Sequence, residues 1–595
     1  MNSTELPVIG NPPKARAARF VGTAETVSFG KGFYDEEHDG SEPFRWMARA
    51  GVLTFSPRRI ARFLELNVRS EFHDLTQRLT ARAGEAEDEL DLAHAWTPIS
   101  IAIPPGACEI KLAVSEIFPK AYYPGDTREL GICVRAPTIH ENGERHDAIR
   151  RQWKNKIHNT REMLARKTVL ASTPPELGID LHGACNVKPP CVYCEWDDSK
   201  EKEGDNVDTP FTVDTLADYG EFFANSGRLQ NCSVGEPFMK RDLDDLLDVF
   251  GNAGKSLEMS TNGQILTDRN IQKLLGRNVQ LFISLDAATS ETYARLRNDT
   301  LPRILDNVRR LVDAKGGREG LPKVFLVFMP MRANVHELED FVKLCAELRV
   351  DRLVLRPLNA TLGNNLAWDR AGYHFDYDRE ILPFDELVRV SGRAAELGRR
   401  HGVDVLDQLD FGGELALDFE REYAQGREEV TSDVTVETRS ASELAADVES
   451  ARTAPIAPAT ESTAKTAELP SLGSGRLPIC QEPWTNLYIL RRGVFPCSYG
   501  YKPVGPTEQF RESWNSTILQ NIRAKLGDGE LHHYCLQSKA CPILRKFESA
   551  HKLPFRQRAA LRTWHMWKRA NAVTGGIPSW AFGRLKAAFG LRSRT

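Results

Sequence analysis

Three cysteines in one short segment are the clearest sign of chemistry in this chain. Cys185, Cys191 and Cys194 lie in the run Leu181-His-Gly-Ala-Cys-Asn-Val-Lys-Pro-Pro-Cys-Val-Tyr-Cys194. Three thiolates on one loop can bind three irons of a 4Fe-4S cluster and leave the fourth iron open to a small ligand. If that ligand is S-adenosylmethionine (SAM), one electron from the cluster can cleave it to a 5'-deoxyadenosyl radical that abstracts hydrogen from a substrate. The alternative is a structural zinc site formed by the same cysteines and His182, because short cysteine clusters commonly bind zinc.

A second group of four cysteines lies far along the chain, at Cys480, Cys497, Cys535 and Cys541. Four thiolates spread over a hairpin and a following loop can complete either a tetrahedral zinc site or a fully ligated 4Fe-4S cluster. Composition alone favours zinc for this group.

Composition restricts the class of protein. A chain of 595 residues predicts two to four domains, and a net charge of -4 gives no global sign of a nucleic-acid or membrane partner. The eleven cysteines are too sparse for a secreted disulfide scaffold. The first residues lack a basic region followed by an apolar core, and no apolar run is long enough to span a bilayer. We therefore expect a cytoplasmic protein without a transmembrane segment.

Strand and helix patterns alternate from residue 176 to 413, which predicts a parallel α/β arrangement. Six βα units indicate a partial (β/α)6 barrel, whose functional residues lie on the loops after the strand ends. The candidate strands are Leu177–Leu181, Asn231–Val234, Ser256–Met259, Val279–Leu285, Val324–Phe328 and Arg352–Leu355.

The flanking regions have other patterns. Residues 19–141 contain short alternating runs such as Ile99–Ile103 and Glu109–Val114, which predict a β-sandwich-like accessory domain. That region also resembles β-rich parts of bacterial enzymes of surface-glycan assembly. Residues 142–175 have helical periodicity and predict a connector.

The later strand ends carry a set of motifs, Gly235-Glu-Pro237, Met259-Ser-Thr-Asn-Gly263 and Ser284-Leu-Asp-Ala287. With the three cysteines, this order and spacing resembles the radical SAM superfamily over roughly residues 176–413. The resemblance decides against zinc for the first cysteine group. One departure is the loop between Cys185 and Cys191, which has five residues where the family usually has three.

The resemblance also implies roles for single residues. Tyr193 would lie near the adenine of SAM, and the Gly235-Glu236-Pro237 segment would hold its ammonium group through Glu236. The remaining candidates at the cofactor are Ser260, Asn262, Ser284, Asp286 and Arg297, with the serine and aspartate at 284 and 286 near the ribose and the arginine near the carboxylate. Short polar residues at strand ends also commonly form turns or cap helices, so a structural role stays open for Ser260, Asn262 and Ser284.

The second cysteine group, placed after such a core, resembles a shortened SPASM or twitch domain over residues 477–544. It would hold an auxiliary 4Fe-4S cluster that transfers electrons. An electron-accepting cluster suits oxidation of a substrate radical, and it also suits epimerisation in which a thiol returns hydrogen. Cys232 either faces the barrel or is a small core residue, which is the more common case.

Two further segments have unusual composition. Residues 414–476 are rich in Glu, Ala, Thr, Ser and Pro and predict a disordered linker or insertion. Residues 545–595 form a basic aromatic tail. Packing of this tail against the barrel is the first interpretation, and surface binding is the second.

Together these features predict a radical SAM enzyme of the oxidoreductase or epimerase type acting on a carbohydrate-like substrate. The alternatives are a peptide-modifying radical SAM/SPASM maturase and a noncatalytic, zinc-containing glycan-binding protein. The expected partners are a small-molecule or glycan substrate, or a peptide, and an electron donor such as flavodoxin or ferredoxin. No nucleic-acid partner is expected.

Overall fold

A computed structural model describes residues 26–38, 43–72, 74–118, 126–194, 211–316, 320–358, 367–370, 372–409, 477–538, 541 and 543–544. The linker predicted at 414–476 and the tail predicted at 545–595 lie outside these described residues.

Two five-stranded antiparallel sheets form the amino-terminal region, with strand orders β1-β4-β9-β6-β7 and β2-β3-β10-β5-β8. Alternate residues of their strands are buried, and Leu66 of one sheet and Leu112 of the other belong to one apolar core. The predicted β-sandwich-like region is confirmed. Its strands are β1 (Ser28–Phe29), β2 (Phe33–His38), β3 (Pro43–Met47), β4 (Ala50–Thr54), β5 (Arg62–Arg69), β6 (Arg78–Ala83), β7 (Ala86–Asp91), β8 (Thr97–Ile103), β9 (Glu109–Val114) and β10 (Ile132–His140).

A long helix, α1 (Gly143–Leu164), follows the sandwich and begins after Asn142, whose side chain accepts a hydrogen bond from the Arg145 N–H at 3.0 Å. One side of α1 contacts the sandwich, where Trp153 Nε1 donates to the Asp91 carbonyl at 3.0 Å. Its other side contacts the next region, where Gln152 Nε2 donates to the Ala253 carbonyl at 2.7 Å. The helix therefore packs on both regions.

The main sheet has the order β19-β16-β15-β14-β13-β12-β11-β20-β21 and is parallel except for β21. The interior strand β15 is buried along its whole length, as expected for a parallel strand with both faces covered. The strands of this half are β11 (Glu176–Ile179), β12 (Arg228–Asn231), β13 (Ser256–Thr261), β14 (Val279–Ser284), β15 (Lys323–Phe328), β16 (Arg352–Leu355), β17 (Ala367–Arg370), β18 (Tyr373–Asp376), β19 (Val405–Asp407), β20 (Asn486–Leu490) and β21 (Gly493–Phe495).

Helices cover the outer face of this sheet. In α6, Leu301, Ile304, Val308 and Leu311 form a buried apolar stripe at helical spacing. The helices after α1 are α2 (Gly220–Asn225), α3 (Leu243–Asn252), α4 (Asp268–Leu274), α5 (Ser290–Leu296), α6 (Leu301–Ala314), α7 (Leu338–Glu347), α8 (Tyr377–Glu380), α9 (Phe384–His401), α10 (Glu482–Thr485), α11 (Phe510–Trp514) and α12 (Thr517–Gly527). Short 3-10 helices are Leu216–Tyr219, Pro237–Met239, Val335–Glu337, Thr507–Gln509 and Cys535–Gln537.

The predicted mixed α/β fold with a partial barrel is confirmed, with two differences in detail. The second strand lies at Arg228–Asn231, three residues before its predicted position at Asn231–Val234. The charge of Arg228 hid the start of this strand in the sequence, whereas in the fold Arg228 pairs with Glu258 of the next strand. The sheet also continues beyond the six predicted strands, since β19 pairs with β16 and β20 pairs with β11. Within the described residues, no helix combines the length and apolar composition needed to cross a bilayer.

Candidate functional site

The loop with Cys185, Cys191 and Cys194 follows β11 at the carboxyl edge of the sheet, and all three cysteines are half-buried. The Cys194 N–H donates to the Cys191 carbonyl at 3.0 Å and closes a turn between these residues. Asn262 Nδ2 lies 3.8 Å from the Cys185 sulfur. Burial raises the pKa of the Cys185 thiol. The first cysteine thus lies against a residue from the end of β13.

The segment after β12 packs tightly against the cysteine loop. The Glu236 N–H donates to the Ala184 carbonyl at 2.7 Å. A Cβ at Gly235 would lie 2.4 Å from the Ala184 oxygen and 2.5 Å from the His182 oxygen. Only glycine fits this close approach of two backbones. Gly235 therefore sets the distance between the two loops.

The Glu236 carboxylate is buried and bonded within the protein. It accepts hydrogen bonds from the Asn262 N–H at 2.9 Å, the Thr261 hydroxyl at 2.8 Å and the Phe238 N–H at 3.3 Å. Burial raises the pKa of Glu236 to about 7, against these three bonds, which lower it. Pro237 opens the 3-10 helix that Glu236 caps. Glu236 joins the ends of β12 and β13, and its contact with the SAM ammonium stays a prediction.

Asp286 connects two of the other predicted residues. Its Oδ2 accepts from the Tyr193 hydroxyl and from Arg297 Nη2, both at 2.6 Å, and its Oδ1 accepts from the Met329 N–H at 2.8 Å. Arg297 also lies over the Tyr193 ring, 5.3 Å from its centre. Asp286 is fully buried at a φ of 60°. Asp286 therefore supports Tyr193 and Arg297, while its contact with the ribose stays a prediction.

The remaining predicted residues lie at neighbouring strand ends. Asn262 Nδ2 donates to Asn186 Oδ1 at 2.8 Å, and its Oδ1 accepts from the Gln264 N–H at 2.9 Å. Ser260 Oγ lies 3.2 Å from Arg356 Nη1. Ser284 is half-buried as the last residue of β14. The structure thus brings the predicted residues to one edge of the sheet.

Charged side chains meet on the concave face of the sheet. Glu258 of β13 pairs with Arg228 at 2.8 Å and with Arg356 at 3.1 Å, and Arg228 lies 3.5 Å from Glu176. Two strands separate β13 from β16, so Arg356 reaches Glu258 only because the sheet curves. Arg356 Nε also donates to Gln408 at 2.9 Å. The sequence did not predict this series of paired charges, because charged residues within a strand resemble loop residues.

Tyr488 of β20 lies across the neighbouring strand. A Cβ at Gly178 would be 2.0 Å from the Tyr488 ring, so only glycine at this position leaves room for the ring. The Tyr488 hydroxyl then donates to Gln230 Oε1 at 3.0 Å, one strand further on. Cys232 packs against Tyr488 together with Leu490 and Phe495.

The four later cysteines, at 480, 497, 535 and 541, are also half-buried. Burial raises the pKa of Cys480 and Cys497 well above its usual value, and Glu482 and the neighbouring thiols of the group raise it further. Burial, with Cys541 beside it, raises the pKa of Cys535 to about 12. Cys480, Cys535 and Cys541 also pack against the same apolar core.

Residues 179–345 match the profile of the Radical SAM superfamily. This region of the chain is therefore similar to the Radical SAM superfamily. The chain is 27% identical over 222 residues to a probable GTP 3',8-cyclase of Saccharolobus islandicus (strain M.14.25), and the aligned part is 36% of this chain and 66% of that relative. It is 26% identical over 130 residues to an AdoMet-dependent heme synthase of Methanosarcina barkeri, over 22% of the chain and 36% of the relative. The chain thus spans just under two thirds, or less, of these relatives.

Solved structures match parts of the chain as well. The structure of Streptococcus suis SuiB bound to precursor peptide SuiA has a TM-score of 0.39 and 14% identity, covering 67% of this chain and 75% of that one. Native anSMEcpe with bound AdoMet has a TM-score of 0.29 and 13% identity, covering 39% and 64%.

Proteins of the Radical SAM superfamily use a 4Fe-4S cluster and SAM, and the donors on the loop suit that cluster. The loop supplies three cysteines, at 185, 191 and 194, and thiolates are the usual ligands of iron-sulfur clusters. Among the described residues, no three cysteine, histidine or acidic side chains already stand in metal-binding geometry. The ligand roles of the seven cysteines therefore stay predictions.

Three other cysteines of the chain lie in the core or in the sandwich. Cys345 is buried on the apolar stripe of α7, as expected for a core residue. Cys133 is buried and Cys108 is exposed in the sandwich. Sequence reasoning missed the hairpin β17–β18 altogether, although Trp368 and Arg370 contact the cysteine loop. Its Trp-Asp-Arg run carries no recognised motif, so the sequence held no signal for these contacts.

Proposed function

We propose that this chain is a radical SAM enzyme that abstracts a hydrogen atom from a carbohydrate-like substrate in the barrel and then oxidises or epimerises that substrate. The observation that carries the substrate class is the pairing of charges on the concave face. Glu176 and Glu258 are balanced by Arg228 and Arg356. A surface whose charges are matched in this way favours an uncharged, hydroxyl-rich ligand over a highly charged one.

Arg356, Ser260 and Gln408 supply the polar contacts for such a ligand. The Arg356 guanidinium has five N–H donors, and the structure uses three of its nitrogens to hold Glu258, Ser260 and Gln408. These contacts fix the plane of the guanidinium and leave further donor capacity at a half-buried position. Substrate hydroxyls would accept from Arg356 and exchange hydrogen bonds with the other two residues.

The cofactor end of the proposal rests on the chain's own loops. Cys185, Cys191 and Cys194 would hold the catalytic cluster, with Tyr193 and the segment 235–237 beside SAM. Ser260, Asn262, Ser284, Asp286 and Arg297 would complete the cofactor site. When bound, the cluster and SAM supply a 5'-deoxyadenosyl radical that removes a hydrogen atom from the substrate.

We assign the four later cysteines, 480, 497, 535 and 541, to an auxiliary 4Fe-4S cluster in a SPASM-like region. Four thiols can ligate every iron of such a cluster, which suits electron transfer instead of substrate binding. A protein donor such as flavodoxin or ferredoxin would reduce the catalytic cluster. The match to the superfamily favours this assignment over the zinc-containing glycan-binding alternative.

The first test is anaerobic reconstitution with iron and sulfide, followed by SAM, a strong reductant and mass spectrometry of 5'-deoxyadenosine. We expect formation by the wild-type protein, loss in Cys191→Ala and no change in Cys108→Ala, because Cys108 is an exposed thiol in the sandwich. Absence of 5'-deoxyadenosine from protein that holds both clusters would contradict the proposed chemistry.

A second test separates the substrate classes. Neutral sugars, sugar nucleotides and peptides are added in turn, and the rate of 5'-deoxyadenosine formation is measured. We expect stimulation by a sugar and transfer of deuterium from the labelled sugar to 5'-deoxyadenosine. Stimulation by peptides alone would favour the maturase alternative and overturn the carbohydrate proposal.

A further inference from the structure

The hairpin β17–β18 lies against the loop that carries the catalytic cysteines. Residues 367–370 and 373–376 pair antiparallel, apart from the main sheet. Trp368 Nε1 donates to the Val192 carbonyl at 2.6 Å. Arg370 Nη1 donates to the Cys191 carbonyl at 2.7 Å and to the Cys194 carbonyl at 2.6 Å. Two side chains of the hairpin thus hold three carbonyl groups of one four-residue turn.

We propose that this hairpin is a clamp that fixes the Cys191–Cys194 turn, and that the charge of Arg370 raises the reduction potential of the cluster bound there. Trp368 and Arg370 act as positioning residues, since their hydrogen bonds reach the backbone of the turn. The proposal rests on the three-cysteine cluster and is independent of the substrate class.

Two backbone hydrogen bonds also hold the turn. The Cys194 N–H bonds to the Cys191 carbonyl, and the Val192 N–H donates to the Leu296 carbonyl at 3.0 Å. A single Arg370 nitrogen bonds the carbonyls at both ends of the turn, so it fixes their separation. Because these carbonyls belong to two of the predicted ligands, the bonds restrain the backbone from which both thiols project.

The hairpin itself is anchored to the barrel. The Trp368 and Phe375 rings lie 4.9 Å apart and pack with Val192, Leu296 and Met331 in one apolar cluster. After β18, Glu380 Oε2 accepts from the Ala333 N–H at 3.0 Å, and the Tyr377 hydroxyl donates to the Leu358 carbonyl at 3.0 Å. These contacts make the hairpin a fixed support for the turn.

The charge of Arg370 gives the clamp an electrostatic effect. Within the part of the chain that the structure describes, its guanidinium has no carboxylate partner, and it is half-buried. Reduction adds one negative charge to an iron-sulfur cluster, and a nearby cation stabilises the reduced form more than the oxidised form. The potential should therefore be higher with a positive side chain at 370 than with a neutral one.

Four variants of the reconstituted, full-length protein test both parts. Arg370→Gln removes the charge, Arg370→Lys keeps it, and Trp368→Phe removes one N–H donor while keeping a ring. Arg379→Gln is the control, because Arg379 is 80% exposed on the following helix. The readouts are the midpoint potential of the SAM-responsive cluster signal in electron paramagnetic resonance, and hydrogen exchange of the Val192 and Cys194 amides.

We expect a more negative midpoint potential in Arg370→Gln, a potential near wild type in Arg370→Lys, and no shift in Trp368→Phe or Arg379→Gln. We expect about tenfold faster amide exchange in Trp368→Phe and Arg370→Gln, which each lose hydrogen bonds to the turn. If Arg370→Gln assembles no cluster, retention of the SAM-responsive signal in Arg370→Lys supports the proposal, and loss of that signal in both variants overturns the charge effect.

Wild-type exchange in both Trp368→Phe and Arg370→Gln would overturn the clamp, and an unchanged potential in Arg370→Gln would overturn the electrostatic part. Failure of the proposed reaction would appear separately, as absence of 5'-deoxyadenosine from the wild-type protein.

Discussion

At the scale of single residues, Asp286 holds two of the predicted cofactor residues, Tyr193 and Arg297, through hydrogen bonds. It is fully buried, and its carboxylate bonds Tyr193, Arg297 and the Met329 N–H. Its φ of 60° is a left-handed conformation that aspartate and asparagine tolerate better than most residues. Asparagine at this position therefore changes the charge with little change of backbone.

We predict that Asp286→Asn weakens SAM binding at least tenfold and lowers stability by about 2–4 kcal/mol. The variant leaves the buried Arg297 guanidinium without its charged partner. Isothermal titration of SAM into reconstituted protein and thermal unfolding measure the two effects. Asp313→Asn is the control, since Asp313 is 63% exposed in a surface pair. Equal SAM affinity in wild type and Asp286→Asn would contradict the role of Asp286 as support.

His140 in the sandwich gives a pH dependence. Burial lowers the pKa of His140 to about 4, and Arg145 and His146 lower it further while Glu65 raises it. The unfolded chain then binds a proton between about pH 6.5 and pH 4 that the folded chain does not. The free energy of unfolding is therefore unaffected by His140 above about pH 6.5. It falls as the pH decreases through this window, by about 2–3 kcal/mol at the acid end.

We predict that His140→Gln has a smaller loss of unfolding midpoint between pH 7 and pH 5 than wild type, because the titrating imidazole is gone. Thermal unfolding at the two pH values measures the difference. The exposed His38 provides the control His38→Gln, which should keep the wild-type loss. An identical loss in all three proteins would show that His140 does not titrate in this window.

At the scale of elements, the loop after β12 and the cysteine loop depend on one another through Gly235. The two backbones approach so closely that a methyl group at this position has no space. The conformation of the cysteine loop thus depends on its contact with Gly235 as well as on its own prolines.

We predict that Gly235→Ala lowers iron bound at the catalytic site by more than half, because the new methyl group pushes residues 182–184 away. Iron content per chain and the SAM-responsive paramagnetic signal measure the loss. Gly251→Ala is the matched control, since a Cβ at Gly251 meets no atom within 4 Å. Normal iron loading of Gly235→Ala would show that the loops can separate without harm.

The sequence predicted the elements whose signal is local. The run Lys323–Phe328 reads as a buried strand, and the stripe of α6 reads as a helix. By contrast, β12 contains Arg228, which pairs with Glu176 and Glu258 on the strands to either side. The pairing of β20 with β11 joins distant parts of the chain, and no local pattern contains such a partner.

The candidate site divides in the same way. The cysteines and the strand-end motifs identified the edge of the sheet where the described residues meet. The bonds of Glu236 and Asp286 to protein groups were not predictable, because they depend on the distance between neighbouring loops. Trp368 and Arg370 were missed for the same reason, since they reach the cysteine loop only through the fold.

At the scale of the whole molecule, Arg523 joins the connector after α1 to the region of the later cysteines. It is fully buried and donates to the carbonyls of Pro483, Thr168 and Trp514, each at 2.8 Å. Pro483 lies close to Cys480, so the position of this cysteine depends on Arg523.

We predict that Arg523→Leu destabilises the protein by about 3–5 kcal/mol and lowers iron bound by the later cysteines. Three carbonyl groups, two of them in buried hydrogen bonds, would lose their donor. Thermal unfolding and iron content measure the effects. Lys525→Met on the same helix is the control, because Lys525 is 51% exposed. An unfolding midpoint equal to that of Lys525→Met would contradict this role.

The pairing of β20 with β11 has a consequence for synthesis on the ribosome. The amino-terminal strands and β11 emerge first, and one hydrogen-bonding edge of β11 then has no partner until residues 486–490 have been made. An open strand edge is a template for aggregation, and pairing over such a separation is slow. A nascent or truncated chain that ends before β20 would therefore need a chaperone to shield that edge, and the iron-sulfur assembly machinery would meet a completed sheet only after residues 486–490 have been made.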